Sequence, residues 1–290
     1  MADVLAERLE ELRSDRSHGG SWMARRAVEA LAELAGEPAE SSQELLERLD
    51  AAGRELAASR RAMGAIAGAV GRVLAAAHHG AHLPPEELRR LVQEEVSGLI
   101  DGRDRAAAAI AIQLAPSLTD AFVLTHSASA TVREAVLHTP SERVFCTVSA
   151  PFEEGRAFAE DLRSSGLDVE LVDDADAEQT LARASLLLVG ADTVFRDGAV
   201  CNKVGTRPLA EAATRLGVRT VVACEVIKLA PIDAPEQVDD EHFDITAPEY
   251  VDEIVTEEGS YSSDDVRTLI DRTPFLREGY ALLGPAPQKE

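Results

Sequence analysis

The sequence predicts an α/β protein with an N-terminal helical domain followed by a Rossmann-like domain, whose parallel sheet is doubly wound. Residues 1–110 repeat Leu, Ala and Val at three- and four-residue spacing, which is typical of amphipathic helices. From Asp120 onward, short apolar runs alternate with amphipathic segments, which indicates βαβ units. The 290 residues, 45% of them hydrophobic, suffice to bury a full core. We therefore expect two domains, at residues 1–115 and 116–290.

The individual elements follow from these two periodicities. Helices of the first domain are expected at Met1–Ser14, Ser21–Ala35, Ser42–Ser59, Ala62–Ala77 and Pro84–Gly98. Buried strands of the second domain are expected at Ala121–Leu124, Arg143–Val148, Val169–Val172, Leu186–Val189, Thr220–Ala223 and Val251–Gly259. The helices between them are expected at Ala130–Leu137, Glu153–Ser164, Ala177–Arg183 and Pro208–Leu216.

Charge and composition exclude several classes of function. The formal net charge of −23 argues against direct nucleic-acid binding, because phosphates would be repelled. Acidic residues are spread along a chain with only three lysines, which resembles halophilic proteins. No apolar run reaches the ~18–20 residues of a membrane span. Three cysteines without paired or metal-ligand spacing favour a reducing, cytoplasmic compartment.

Polar side chains cluster after two of the predicted strands, and ligands of parallel sheets bind at the carboxyl ends of strands. Thr125–Ser129 follows the first strand, and Gly190–Thr206 follows the fourth. In the second loop, Asp192 comes directly after the strand, and Lys203 lies just before the helix that Thr206 is expected to cap. A helix N-terminus beside an ammonium group predicts a phosphate site.

The segment Gly190–Val218 resembles the most distinctive part of the translation initiation factor 2B alpha/beta/delta family. The resemblance extends through Asp15–Leu31, Val123–Val132, Glu153–Ala177 and Phe243–Gly259. That family includes archaeal initiation factor 2B-like proteins, ribose-1,5-bisphosphate isomerase and methylthioribose-1-phosphate isomerase. It implies a homodimer through the C-terminal half, which light scattering can measure. The apolar residues of the late strand, which would otherwise lie at an exposed sheet edge, favour the same association.

The resemblance also identifies residues that separate the family's enzymes from this chain. Its sugar-phosphate isomerases pair a cysteine after Thr-His with the aspartate of Gly-Ala-Asp to move protons on the substrate. Here Asp192 is present, but Ser127 occupies the cysteine position, and its hydroxyl is a weaker acid than a thiol. Ala150 stands where the isomerases have a phosphate-binding arginine, and His18 replaces a second one. Whether Arg16 or Arg156 substitutes for them stays open.

These observations favour a noncatalytic, regulatory initiation factor 2B-like protein, with a phosphorylated small molecule as ligand and initiation factor 2 subunits as candidate protein partners. The alternatives are a sugar-phosphate aldose–ketose isomerase, with Asp192 as its catalytic residue, and a metabolite-sensing regulator outside translation. No cofactor or metal site is expected. The expected ligand-binding residues are Gly19, Gly20, His126, Ser127, Asp192, Asn202, Lys203 and Lys228.

Structural roles for the same side chains remain open at this point. Asp192 could instead accept amide hydrogen bonds at its turn. The pair Asn202 and Lys203 could order the loop that contains them. Serine hydroxyls at Ser127 and Ser129 are expected to cap helices rather than act as nucleophiles, because no base with an orienting partner is evident.

Overall fold

The computed structural model describes residues 2–16 and 18–284 of the chain. Helices α1 to α11 are Ala2–Ser14, Gly20–Ala35, Ser42–Ser59, Gly64–His79, Pro85–Leu118, Ala130–His138, Glu154–Ser164, Ala177–Leu181, Thr206–Leu216, Val266–Asp271 and Pro274–Leu283. Strands β1 to β11 are Phe122–Thr125, Arg143–Thr147, Val169–Val172, Leu186–Gly190, Thr193–Phe195, Val200–Lys203, Arg219–Ala223, Leu229–Ala230, Phe243–Thr246, Glu253–Thr256 and Gly259–Tyr261. Within these residues, no helix is both long and apolar enough to cross a bilayer.

The first four helices confirm the helical character of the N-terminal region. They start and end close to the predicted residues, apart from Met1, which lies outside the described residues. Their apolar stripes meet in one core, in which Leu12, Met23, Leu31 and Leu49 are fully buried. Helix α3 begins where the sequence places a cap, because the Ser41 side chain accepts a hydrogen bond from the Glu44 amide.

The fifth helix is much longer than predicted. It was expected to end at Gly98, but α5 continues without a break to Leu118. A glycine in a helix costs only about 1 kcal/mol, so Gly98 alone does not end a helix in an Ala-rich segment. No residue between Val96 and Ile110 is buried, because α5 leaves the helical core and then joins the core of the sheet domain. The division at residues 115 and 116 therefore falls inside a continuous helix and stays a proposal.

The C-terminal region contains the predicted doubly wound sheet. Its order is β11-β10-β7-β4-β1-β2-β3, and all neighbours are parallel except β10 and β11. The chain winds outward from β1 in one direction through β2 and β3, and in the other through β4 and β7. The carboxyl ends of β1 and β4 therefore lie side by side at the switch point, where such sheets bind ligands.

The late strand does not form the exposed edge that was expected. Strand β10 lies between β7 and β11, and Ile254 and Val255 are buried. The edge argument for self-association is therefore wrong. The homodimer stays a prediction that rests on the family resemblance.

The segment predicted as a long loop contains two strands of a second sheet. Its order is β8-β5-β6-β9, and β5 turns back on β6 through Gly198, whose φ of 84° suits only glycine well. The sequence does not predict these strands because they are short and pair with β8 and β9, which are distant in the chain. This sheet lies between the helical domain and the large sheet, and its residues Phe195 and Cys201 pack with Ala62.

Helix α4 joins the two regions through a face of glycines. The backbone of α4 approaches so closely that a Cβ on Gly68 would lie 1.9 Å from the Ile227 carbonyl oxygen. Nearby, the Gly64 amide donates a hydrogen bond of 2.7 Å to Thr193 Oγ1, which in turn donates to the Ala62 carbonyl. The helical domain therefore touches the Ile227 segment, just before β8, backbone to backbone, and it is hydrogen-bonded to β5 through Thr193.

Gly68→Ala is expected to lower the free energy of unfolding by about 1–3 kcal/mol or more, because the methyl group has no space at this contact. Gly98→Ala, in the same kind of helix but with no atom within 4 Å of the added Cβ, should raise it by up to ~1 kcal/mol. Urea unfolding of both variants measures the difference. Equal stabilities would contradict the close contact.

Candidate functional site

A cavity of about 180 Å³ lies where the carboxyl ends of β1 and β4 face the start of α2. Every residue predicted from the sequence to bind a ligand lines this one cavity: Gly19, Gly20, His126, Ser127, Asp192, Asn202, Lys203 and Lys228. A larger cavity of about 830 Å³ lies nearby, but none of these residues lines it. The small cavity, called the cleft below, is therefore the candidate site.

Helix α2 begins directly against the cleft. Its first residue, Gly20, is so near the sheet domain that an added Cβ would lie 3.3 Å from Asp192 Oδ1. The residue before it, Gly19, supplies no side chain to cap the helix. Glycine at position 20 allows the positive end of α2 to lie close to the aspartate.

Asp192 lies on the short link between β4 and β5, and its carboxylate faces the cleft. Among the described residues, this carboxylate makes no hydrogen bond or ion pair, so the alternative role in binding turn amides is wrong. Burial raises the pKa of Asp192 to about 6, although the charges of Lys228 and Arg60 act in the opposite direction. At neutral pH this group can therefore exchange a proton with a ligand more readily than an ordinary aspartate.

Lys203 is held by an ion pair inside the cleft. Its Nζ lies 3.1 Å from Glu154 Oε1, and the same oxygen accepts a hydrogen bond of 2.7 Å from Ser127 Oγ. The ammonium group also lies 4.4 Å from the centroid of the Phe152 ring. The hydroxyl at the isomerase cysteine position therefore donates to a carboxylate, instead of capping a helix as expected.

The second lysine of the cleft has its own carboxylate. Lys228 Nζ lies 3.1 Å from Glu225 Oε2, and both side chains are buried. Burial alone would lower the pKa of Lys228, but the Glu225 and Asp192 charges outweigh it and raise the pKa. Ser21 Oγ of α2 donates to Glu225 Oε1 at 2.9 Å, which ties this pair to the helical domain.

Two of the predicted binding residues use their polar atoms within the protein. His126 Nε2 donates to the Val204 carbonyl at 2.9 Å, and its Nδ1 lies 2.7 Å from Thr147 Oγ1. Burial lowers the pKa of His126, which favours the neutral ring. Asn202 Nδ2 donates to Thr206 Oγ1 at 3.0 Å. Both residues shape the cleft wall, and Asn202 orders the loop as its alternative role suggested.

The phosphate site predicted at the start of α9 is occupied by a carboxylate. Asp244 Oδ2 accepts a hydrogen bond of 2.7 Å from the Gly205 amide and another of 3.2 Å from the Arg207 amide. The Thr206 hydroxyl donates to the Lys203 carbonyl instead of capping the helix. The prediction fails because Asp244 comes from β9, which the sequence did not reveal as a neighbour. Ser129, in contrast, caps α6 as expected.

The question of substitute arginines has a clear answer. Ala150 is exposed, and Arg156 forms a 2.7 Å ion pair with Glu153, so neither residue lines the cleft. Arg16 does line it. Further cleft residues that the sequence did not single out include Trp22, Arg60, Arg103, Phe152, Glu154 and His242. The only sequence feature that could have indicated Arg60 is the pair Arg60-Arg61 at the break between two predicted helices.

The cleft carries the opposite charge to the rest of the chain. Its walls hold the basic residues Arg16, Arg60, Arg103, Lys203 and Lys228, against the two carboxylates Glu154 and Asp192. Two of the chain's three lysines are among them, and the third, Lys289, lies outside the described residues. In a protein of net charge −23, such an excess of cations favours an anionic ligand. No cluster of metal-ligating side chains occurs at residues 2–16 or 18–284.

Strained backbone is concentrated around the same cleft. Of the non-glycine residues with positive φ in the described part of the chain, Ser127 and Glu153 flank the Glu154 contact, with φ of 66° and 55°. Ser149, with φ of 66°, accepts a hydrogen bond from the Ser127 amide through its Oγ. Such conformations cost of order 1–3 kcal/mol each and cluster at functional sites.

The fold and the cleft define an α/β protein with a cationic cleft between a helical region and a doubly wound sheet. A family model for the initiation factor 2 subunit family matches residues 16–241. The chain belongs to this family, which confirms the resemblance seen in the sequence.

Known members of the family bear two kinds of name. A translation initiation factor eIF-2B subunit 2-like protein of Pyrococcus horikoshii is 31% identical over 89% of this chain and 96% of its own length. A ribose 1,5-bisphosphate isomerase of Haloferax volcanii is also 31% identical, over 64% of this chain and 67% of that protein. The crystal structure of a translation initiation factor eIF-2B from Pyrococcus horikoshii OT3 superposes with a TM-score of 0.77 at 26% identity, covering 90% of this chain and 98% of that one.

Asp192→Asn is expected to stabilise the protein above pH 6. A folded pKa of about 6, against an ordinary 3.8, means that ionised Asp192 opposes folding, by at most about 3 kcal/mol at pH 8. The stabilising effect should fall to roughly half by pH 5, where the folded protein already holds the proton. Urea unfolding at both pH values measures it. Asp239→Asn, at an exposed residue, is the control, and an equal gain from it would contradict the assignment.

Proposed function

We propose that this chain is a noncatalytic, regulatory member of the family that binds a phosphorylated small molecule in the cleft. The observation that supports this proposal is the concentration of basic side chains, including Lys203 and Lys228, in one pocket of a strongly acidic protein. Phosphate groups carry close to two negative charges at neutral pH, so they benefit most from several cations. The cleft volume of about 180 Å³ lies below the roughly 300–1,000 Å³ of pockets for drug-sized ligands, which favours a compact sugar phosphate over a larger nucleoside phosphate.

The contacts of Ser127 support a noncatalytic role. In the isomerases that the sequence resembles, this position holds a thiol that shares proton transfer with the aspartate. Here the hydroxyl donates to Glu154 at 2.7 Å, and Glu154 in turn neutralises Lys203. A carboxylate is a far weaker base than a serine alkoxide, so this contact leaves Ser127 a poor acid and a poor nucleophile at neutral pH. Asp192 therefore lacks the usual second group of the pair.

A second candidate function is aldose–ketose isomerisation of a sugar phosphate. The specific observation in its favour is Asp192 itself, whose carboxylate is unpaired within the described residues and has a pKa raised to about 6. A single carboxylate of such pKa can act as a general base near neutral pH. The relatives named ribose 1,5-bisphosphate isomerase make this the reaction to test.

The remaining parts of the proposal concern partners and organisation. We infer a cytoplasmic protein that forms a homodimer through its C-terminal domain and contacts initiation factor 2 subunits. The support for these contacts is the family membership and the printed names of the relatives. In the same proposal, residues 1–115 form the helical domain and residues 116–290 the sheet domain, with α5 as the connection between them.

Lys203→Ala is expected to weaken binding of a nucleoside or sugar phosphate by on the order of 1.5–3 kcal/mol, the value of a hydrogen bond to a charged group. Titration calorimetry in molar salt measures the change. Arg156→Ala removes an equal charge at a surface ion pair outside the cleft and should leave the affinity unaltered. A wild-type protein that binds none of these phosphates, or a Lys203→Ala variant of wild-type affinity, would refute phosphate binding by this lysine.

The wild-type protein is expected not to isomerise ribose 1,5-bisphosphate or methylthioribose 1-phosphate above background. Ser127→Cys alone should not restore turnover, because residue 150 still provides no arginine for the phosphate, and small errors in substrate position cost about a hundredfold in rate. Proton NMR of each reaction follows product formation. Robust wild-type turnover that disappears in Asp192→Asn would establish the second candidate instead.

A further inference from the structure

The Glu154 carboxylate occupies the position where an anion would meet Lys203. Both of its oxygens contact Lys203 Nζ, at 3.1 and 3.2 Å, and Glu154 is itself a residue of the cleft wall. The Lys203 side chain is only 7% exposed, and the Phe152 ring lies beside its ammonium group. An anion that enters the cleft therefore finds Lys203 already paired.

The surrounding structure holds Glu154 in this position. Ser127 Oγ donates to its Oε1 at 2.7 Å. The next residue, Gly155, is pressed so closely against β2 that an added Cβ would lie 1.8 Å from the Thr147 carbonyl oxygen. Glu154 is therefore a tethered partner of Lys203. It has an advantage over a ligand phosphate, because the tethered carboxylate loses no translational freedom when it binds and the free phosphate does.

We propose that Glu154 acts as a built-in competitor for Lys203, which weakens the binding of every anion so that only anions strongly attracted to the cleft occupy it. The inference rests on the proposed function, because it concerns the affinity of the same phosphate site. Displacing Glu154 lowers the affinity of every anion by a common factor. A dianion still binds, since its attraction to the cleft cations is about twice that of a monoanion at equal distance. Monoanions such as formate then bind too weakly to be measured.

A different role for Glu154 would change ligand affinity in a different direction when its charge is removed. If the phosphate instead sat only at Lys228 and Arg60, Glu154 would remain in place and accept hydrogen bonds from ligand hydroxyls. Removing its charge would then weaken binding of a hydroxylated ligand and would not tighten binding of inorganic phosphate. The direction of the affinity change therefore decides between the two roles.

Trp22 provides the readout, because it is the only tryptophan of the chain and lines the cleft. Its ring stacks on His18, with centroids 4.0 Å apart. The probes are inorganic phosphate and formate, titrated in chloride-free buffer. In Glu154→Gln, the amide keeps the shape of the side chain and still accepts from Ser127, but it no longer neutralises Lys203. Phosphate should bind about tenfold more tightly or better, and formate should become a measurable ligand.

Three further variants test the cause. Glu153→Gln makes the same charge change at the adjacent, surface-paired residue and should leave both affinities unaltered. Ser127→Ala removes the tether and should tighten phosphate binding by a smaller factor than Glu154→Gln. In a Lys203→Ala background, the gain in phosphate affinity from Glu154→Gln should disappear, because the ammonium group for which Glu154 and phosphate compete is absent. A gain that persists there would mean general repulsion and would overturn the inference.

The outcomes separate this inference from the proposed function. Binding of phosphate by the wild type, with no tighter binding by a folded Glu154→Gln, would refute the competitor role alone. Absence of phosphate binding by the wild type and all variants would refute the proposed function, and the inference with it. Thermal unfolding of each variant identifies any that does not fold, and Ser127→Ala then tests the competitor role without a change in charge.

Discussion

The contact between α4 and the segment that leads into β8 is the constraint on which the rest of the structure depends. Because Gly68 leaves no space between the helix backbone and the Ile227 carbonyl, the two regions approach more closely than side chains would allow. The same approach places the start of α2 against Asp192, with Gly20 at the point of contact. The cleft is the space that this packing leaves between the two regions, and both of them contribute residues to its walls.

Charge pairing in and around the cleft explains which groups remain available to a ligand. Buried cations without partners destabilise the folded protein. Here Glu154 pairs with Lys203, and Glu225 pairs with Lys228. Even the amides at the start of α9 have a carboxylate, Asp244. Asp192 has no such partner within the described residues, and burial raises its pKa. A ligand therefore meets one proton-active carboxylate beside two lysines that are already paired.

This arrangement shows how one frame can serve both a regulator and an isomerase. The sheet, the switch point and Asp192 are compatible with either function, because a fold positions side chains without fixing their chemistry. The chemistry depends on a few side chains at the rim of β1 and β2, such as Ser127 and Glu154. Long helix α5, with no buried residue between Val96 and Ile110, connects the region that completes the cleft to the sheet that carries it.

The sequence by itself determined the fold class and most of the predicted site. Period-two and period-3.6 patterns are local, so they revealed the strands of the large sheet and most helices. Loops at the carboxyl ends of β1 and β4 meet in any sheet of this topology, which is why residues as distant as Ser127 and Lys203 could be assigned to one site. The scarcity of lysine identified Lys203 and Lys228 without any structure.

Tertiary structure alone decided the second sheet, the full length of α5 and the partner of each charge. Short strands such as β5 and β6 gain their stability from pairing with distant segments, which leaves no local signal. Asp244 and Glu154 look like ordinary surface carboxylates in the sequence, yet one occupies the start of α9 and the other pairs with Lys203. Ion pairing depends on separations of a few ångströms between segments far apart in the chain, and only packing sets those distances.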